Sequence, residues 1–380
     1  MKRVVLAMLM LSICRPAHAQ FGGLLNKIDT AKQKADDAKQ KADQLNVSED
    51  EEIRIGKDVS TKIRERFGVV QDEKVTKYVA LVGTLLARQS ERPKLPWTFI
   101  VLDTDGVNAF AAPGGIVHIT RGALGLIQNE AELADVLGHE ITHVAHKHAV
   151  AAIRKNNAVQ MGANETLSDR GPFLDRIATK AYEMILENAF DRGDELDADK
   201  GSVELAAKLG YAPAALADFL TRLDERNKDQ PARNGLFASH PETKERIEKV
   251  RALAGKRTGA TVLTRYTSNV SYKPTPVTQV ATVVDGASGL TGSTKGGDAK
   301  DPDSKDKDKD AKQPEQKKKG FGLSNLTGAV KPEKESTQVS ASGGARGVGP
   351  DRAAKGGPNP NPVVVKVTDA ELTAFKAGIV

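Results

Sequence analysis

The sequence predicts an α+β chain, mostly helical, with a small antiparallel sheet and a disordered C-terminal tail. Three observations carry this. Apolar residues recur at helical spacing from Ser48 to about Ser288, and 13 of the 16 aromatic residues lie between Phe67 and Tyr272. Short runs rich in β-branched and aromatic residues interrupt the helical pattern between Trp97 and Thr120. Past Gly286 the aromatics almost vanish, and residues 286–362 hold 14 of the 34 glycines, a composition that cannot build a packed core. At 380 residues the chain is long enough to bury a sizeable core. Its single cysteine excludes a disulfide framework, a thiolate zinc cluster and a CxxC redox pair.

Residues 1–19 read as a secretory signal peptide. Lys2 and Arg3 form a basic start, Val4 to Ile13 is apolar, and Ala17-His18-Ala19 is a small-x-small cleavage site. Lipidation is disfavoured because Ile13 precedes Cys14. Removing Lys2, Arg3 and Arg15 takes the formal charge from +6 to +3, a balance that gives no argument for nucleic acid. No later apolar run reaches 18 residues, so no transmembrane segment is expected after cleavage. A bacterial leader of this kind implies a periplasmic protein.

Residues 20–47 contain the repeat AKQKADD-AKQKADQ and read as a solvated helical spacer. The folded domain is assigned to residues 48–285. Ser48-Glu49-Asp50-Glu51 is a capping box that opens a helix through Ile53, Ile55, Val59 and Ile63. A second helix runs from about Asp72 to Arg88, with Val75, Val79, Val82 and Leu86 on one face. Trp97 to Leu102 reads as a strand. Asn108 to Ala112 and Ile116 to Thr120 read as a hairpin around Pro113-Gly114-Gly115. The low-complexity tail spans residues 286–362 and ends its charge alternation in Lys317-Lys318-Lys319. Through this tail the chain could hold an envelope partner. Residues 363–380 regain pattern and read as a strand with a short helix.

Asn129-Glu130-Ala131-Glu132 is a second capping box, opening a helix with Leu133, Leu137, Ile141 and Val144 on its core face. That helix carries His139-Glu140-Ile141-Thr142-His143, an H-E-x-x-H motif. At 3.6 residues per turn the two histidines stand one above the other, which suits a clamp on one Zn²⁺. Glu140 lies beside them, placed to act as general base on a water at that ion. The metzincin variant needs Gly at 146 and His at 149, where this chain has His146 and Ala149. A third ligand therefore comes from elsewhere. Between 181 and 210, Glu195 and Asp199 share a helical face, a spacing that suits a ligand with a supporting carboxylate. Asp191, Asp194 and Asp197 are rivals on spacing alone.

Four blocks in order give a resemblance. They are NAFAAPGGIVHITRGAL from Asn108, HEITHVAHKH from His139, DRGDELDADKGSVELAAKLGY from Asp191 and SHPETKERI from Ser239. From Ser48 to about Ile247 the chain resembles the HtpX/CAAX-prenyl-protease family of zinc metallopeptidases, in its soluble envelope branch, a gluzincin. The resemblance implies a zincin-like fold and zinc-dependent endopeptidase activity on exposed or misfolded envelope polypeptides, with one zinc per chain. It implies His139, His143 and Glu195 as metal ligands, Asp199 as the residue behind them, and Glu140 as catalytic base. It also implies that His240, in Ser239-His240-Pro241, approaches the metal from a loop and assists catalysis or access. Asn108, Ala109, Phe110 and Ala111 would be the edge strand that pairs with substrate backbone. The family's E-x-E-A-D has Asp197 at its middle acid here.

The other histidines read less sharply. Helical phase puts His148 opposite His139, on the packed face, and His146 near the ligand side as a cleft or surface residue. His118 sits on the supposed edge strand, as a subsite residue or an ordinary strand residue. Residues 154–180, polar and holding Gly162 and Gly171, are a candidate lid. The competing reading is an envelope chaperone or scaffold with a structural zinc, which leaves Glu140 without a purpose.

Overall fold

The computed structural model describes residues 47–160, 170–187, 190–228, 243–276 and 358–379. The expected signal peptide, nearly all of the expected spacer, most of the expected tail and His240 lie outside the described residues. Helix α1 (Glu49–Phe67) begins with the full capping box, Ser48 accepting from Glu51 N and Glu51 from Ser48 N. It buries Ile55, Val59, Ile63 and Phe67. Helix α2 (Glu73–Ala87) is capped by Asp72, whose carboxylate accepts from Lys74 N and Val75 N. Both starts follow from side chains that satisfy otherwise orphaned helix N–H groups.

Three strands follow, β1 (Thr98–Leu102), β2 (Ala109–Ala112) and β3 (Ile116–Thr120), in the order β1-β3-β2. β2 and β3 form the antiparallel hairpin, but β1 runs parallel to β3, pairing Thr98 with Ile116 and Leu102 with Thr120. The sheet is thus mixed, which corrects the all-antiparallel expectation. The cause lies in the link 103–108, which crosses the end of β3. Thr120 anchors the link by donating to Gly106 O while its Oγ1 accepts from Asn108 N. No local pattern encodes that crossing.

Alternate residues point to opposite faces of the sheet. Phe99, Val101, Ala109, Val117 and Ile119 join one core cluster with α2, and Ile100, Leu102, Phe110 and Ala112 join another with α1. β3 is the central strand, so His118 is not on an edge. It is fully buried and its Nε2 lies 2.9 Å from Ser60 Oγ. Burial drives its pKa down to about 3, against a smaller opposing hydrogen bond at Phe110. His118 is a neutral core histidine.

After the short α3 (Arg121–Leu126), α4 (Glu130–Ala145) runs buried over its whole length. Asn129 caps it, but Glu132 bonds Gln128 N instead of closing the box, while also pairing with Arg222. α4 stops at Ala145. His146 is its C-cap and Lys147 takes a left-handed φ of 59° before α5 (His148–Gln160) begins. α6 (Arg170–Glu187) then buries Phe173, Leu174, Ile177 and Ala181 in the cluster with α1. This half of the expected lid is a core helix; residues 161–169 lie outside the described ones.

Helices α7 (Arg192–Leu209), α8 (Ala215–Asn227), α9 (Thr243–Ala254) and α10 (Leu263–Asn269) complete the domain. α7 ends at Gly210, whose φ of 91° needs no Cβ. α4 and α7 pack closely because small residues face each other. A Cβ on Gly201 would lie 2.3 Å from Thr142 Oγ1 and 2.9 Å from Thr142 Cβ. Gly201→Ala is therefore expected to push α7 off α4, costing about 1–3 kcal/mol. Thermal unfolding measures the loss, and metal affinity should fall with it.

The C-terminal segment belongs to the same core. Asn359 O accepts from Val69 N and Asn361 O from Gln71 Nε2. The expected strand is absent among residues 359–368, which carry no ladder pairing. Helix α11 (Asp369–Ala377) has a complete Thr368–Glu371 capping box and packs on α2, with Leu372 and Ile379 buried. Phe375 lies under the Arg265 guanidinium at 3.9 Å. Among the described residues no helix is long and apolar enough to cross a membrane.

Candidate metal centre

The site is built on the α4–α7 contact, with α9 closing it from the far side. One turn apart on α4, His139 and His143 bring their Nε2 atoms to 3.1 Å. From α7, Glu195 places Oε2 at 3.5 Å from His139 Nε2 and Oε1 at 3.4 Å from His143 Nε2. All three side chains are almost fully buried, and together they can hold one ion. Two imidazoles and a carboxylate converging on one point is the donor set of a catalytic zinc that keeps a position open.

The imidazoles are arranged to be neutral, as ligands must be. Burial lowers the pKa of both His139 and His143, partly offset at His139 by the bond to Asp199 and at His143 by Glu195. His139 Nδ1 faces Asp199 Oδ1 at 3.0 Å, which leaves the Nε2 lone pair toward the centre. His143 is held on its other side by Phe190, stacked at 4.2 Å between ring centroids. Its Nδ1 lies 2.9 Å from His148 Nδ1. Glu140 is buried beside His139 on α4.

Arg246, on α9, is a part of the site that sequence reasoning missed. Its Nη2 and Nε bond the two oxygens of Asp199 at 2.7 and 2.8 Å, and its Nη1 lies 2.9 Å from Glu195 Oε2. Burial alone would raise the Asp199 pKa; the charge and hydrogen bonds of Arg246, with His139, outweigh it and hold the group at about 2. Arg246 lies within the SHPETKERI block, but nothing in its spacing ties it to residues 47 and 51 positions away.

The rival acids are placed elsewhere. Asp191 is the N-cap of α7, accepting from Asp194 N. Asp197 is turned about 200° from Glu195 around the helix and meets His146 and His148. His148 corrects the expectation of a packing residue on the far face of one long helix. The Lys147 turn ends that helix, so phase counted from His139 no longer applies, and His148 folds back to touch His143. His146 is half-buried at the end of α4.

Asn108, Ala109, Phe110 and Ala111 lead into or form β2, which is the sheet edge. All four are buried, and Phe110 stacks on Phe67 at 5.8 Å. A small recess lined by Ala111, Pro113, His143, Val144 and Phe190 joins this strand to the metal set.

Comparison with known proteins gives a consistent picture. Residues 73–254 match the model of peptidase family M48. The chain is 25% identical over 221 residues to a beta-barrel assembly-enhancing protease of Yersinia pestis, covering 55% of this chain and 45% of that protein. It is 29% identical over 160 residues to metalloprotease YcaL of Escherichia coli K12, covering 41% and 61% respectively. It is 26% identical over 202 residues to the mitochondrial metalloendopeptidase OMA1 of Arabidopsis thaliana, covering 53% and 41%. The chain therefore spans less than half the length of the assembly-enhancing relative.

Proposed function

On the premise that residues 73–254 are a peptidase family M48 domain, we propose that this protein is a zinc-dependent endopeptidase working in the cell envelope. The observation that carries the reading is the convergence of His139, His143 and Glu195 beside Glu140 in one buried centre. Zinc bound there supplies a Lewis acid that polarises a scissile carbonyl and acidifies water.

The chain's own residues do the rest. His139 and His143 hold their lone pairs inward through Asp199 and His148. Glu140 takes a proton from the attacking water and returns it to the departing amine. β2 offers its edge to a peptide backbone, and the recess beside it receives a side chain. Because β2 is covered in this conformation, substrate entry requires the cover to move. His240, outside the described residues, is proposed on the family resemblance alone to assist catalysis or access.

The reading of residues 1–19 as a signal peptide supports export to the periplasm. The substrate reading, exposed or misfolded envelope polypeptides, is supported by relatives named beta-barrel assembly-enhancing proteases. The tail is a candidate contact for an envelope partner. Glu195→Ala tests the centre. After dialysis against nanomolar zinc, the variant should lose the tightly held metal by atomic emission. Retention of one zinc per chain under those conditions would move the third ligand to another acid.

A further inference from the structure

We propose that His146, His148 and Asp197 form a second, weaker transition-metal site next to the catalytic centre. The Lys147 turn is what creates it. His146 at the end of α4 and His148 at the start of α5 bring their rings to 5.7 Å, crossed at 81°. Asp197 projects from α7 between them. Its Oδ2 contacts His146 Nδ1 and lies 3.2 Å from His148 Nε2, and the three ligand atoms sit within 4.8 Å of one another.

Asp194 Oδ1 stands 3.9 Å from His148 Nε2, and Glu91 Oε2 is 3.5 Å from His146 Nε2. Three carboxylates thus surround two imidazoles, a set that attracts a dication. Imidazole with carboxylate suits Zn²⁺, Co²⁺, Ni²⁺ or Cu²⁺ rather than Ca²⁺ or Mg²⁺. Asp197 is 43% exposed against 1% for Glu195. Water can complete the coordination, and the ion exchanges freely.

The two sites share a hydrogen bond. This part rests on the reading of His143 as a catalytic ligand. With His143 Nε2 on zinc, its Nδ1 carries the hydrogen and His148 Nδ1 accepts it at 2.9 Å. His148 then keeps its own hydrogen on Nε2, toward Asp197. A metal at the second site takes His148 Nε2 and leaves the hydrogen on Nδ1, setting N–H against N–H. Filling the second site therefore removes the acceptor that orients His143, and loss of such a partner weakens a metal site by about 10–100-fold. Excess metal becomes an inhibitor.

Equilibrium dialysis of the full chain against rising Zn²⁺ tests the proposal. Wild type should bind two ions, the second at least tenfold more weakly. His146→Asn and Asp197→Asn should each bind only the tight one, while Glu195→Ala should keep only the weak one. A zinc stoichiometry on wild type no greater than on His146→Asn and Asp197→Asn overturns the site whether or not the catalytic reading stands. In a peptidase assay the second zinc should inhibit wild type and not His146→Asn. Equal inhibition of both overturns the coupling.

Discussion

On the proposed endopeptidase reading, Glu140→Gln is expected to leave the protein folded and metal-loaded while peptide hydrolysis falls by roughly a hundredfold to ten-thousandfold, the range a positioned acid–base group contributes. Glutamine preserves the shape and packing of a buried side chain on a fully buried helix, so stability should change little. What it removes is the capacity to take and return a proton. Because Glu140 is not one of the three converging ligands, zinc content by atomic emission should match wild type. Casein cleavage at wild-type rate with zinc bound would show that the base lies elsewhere. Loss of zinc would instead mean that the carboxylate helps to hold the ion.

Arg246→Ala is expected to destabilise the metal-free protein by about 3–5 kcal/mol, the cost of leaving buried charge without its partner. For a domain of this size that lowers Tm by roughly 6–20 °C. The argument is electrostatic. Arg246 binds both oxygens of Asp199 and one of Glu195, all with almost no exposure to solvent. Without it two carboxylates face each other in a low-dielectric interior. Bound zinc supplies positive charge to the same cluster, so the Tm loss should be larger in chelator than in zinc. Arg246→Lys restores the charge without the two-pronged geometry and should fall between. A variant within about 2 °C of wild type in chelator would mean that the cluster relaxes by taking up protons or water.

The parts of the site legible in the sequence are those set by one or two turns of helix. His139 and His143 are four apart, as are Glu195 and Asp199, and helical pitch alone puts each pair on a shared face. The four-residue spacing to Asp199 favoured Glu195 over Asp191, Asp194 and Asp197, and the family resemblance added to that preference because the rivals' spacings are also compatible with a helix. The structure separates them by packing: Glu195 and Asp199 face α4, Asp191 caps, and Asp197 meets the histidines on either side of the Lys147 turn. His148 shows the limit of phase counting. One left-handed residue, Lys147, breaks the helix on which the count depends, and nothing about lysine announces that conformation.

By itself the sequence determined the capped starts of α1, α2 and α4, the apolar faces they bury and which four-residue pairs can share an ion. Those properties depend on caps, periodicity and pitch, all local to a few residues. Only the tertiary structure decided the parallel pairing of β1 with β3, the burial of His118, the docking of α11 on α2 and the arrival of Arg246 behind Asp199. Each joins segments far apart in the chain. Its energy comes from burying apolar surface and pairing charge between elements, which no local pattern records.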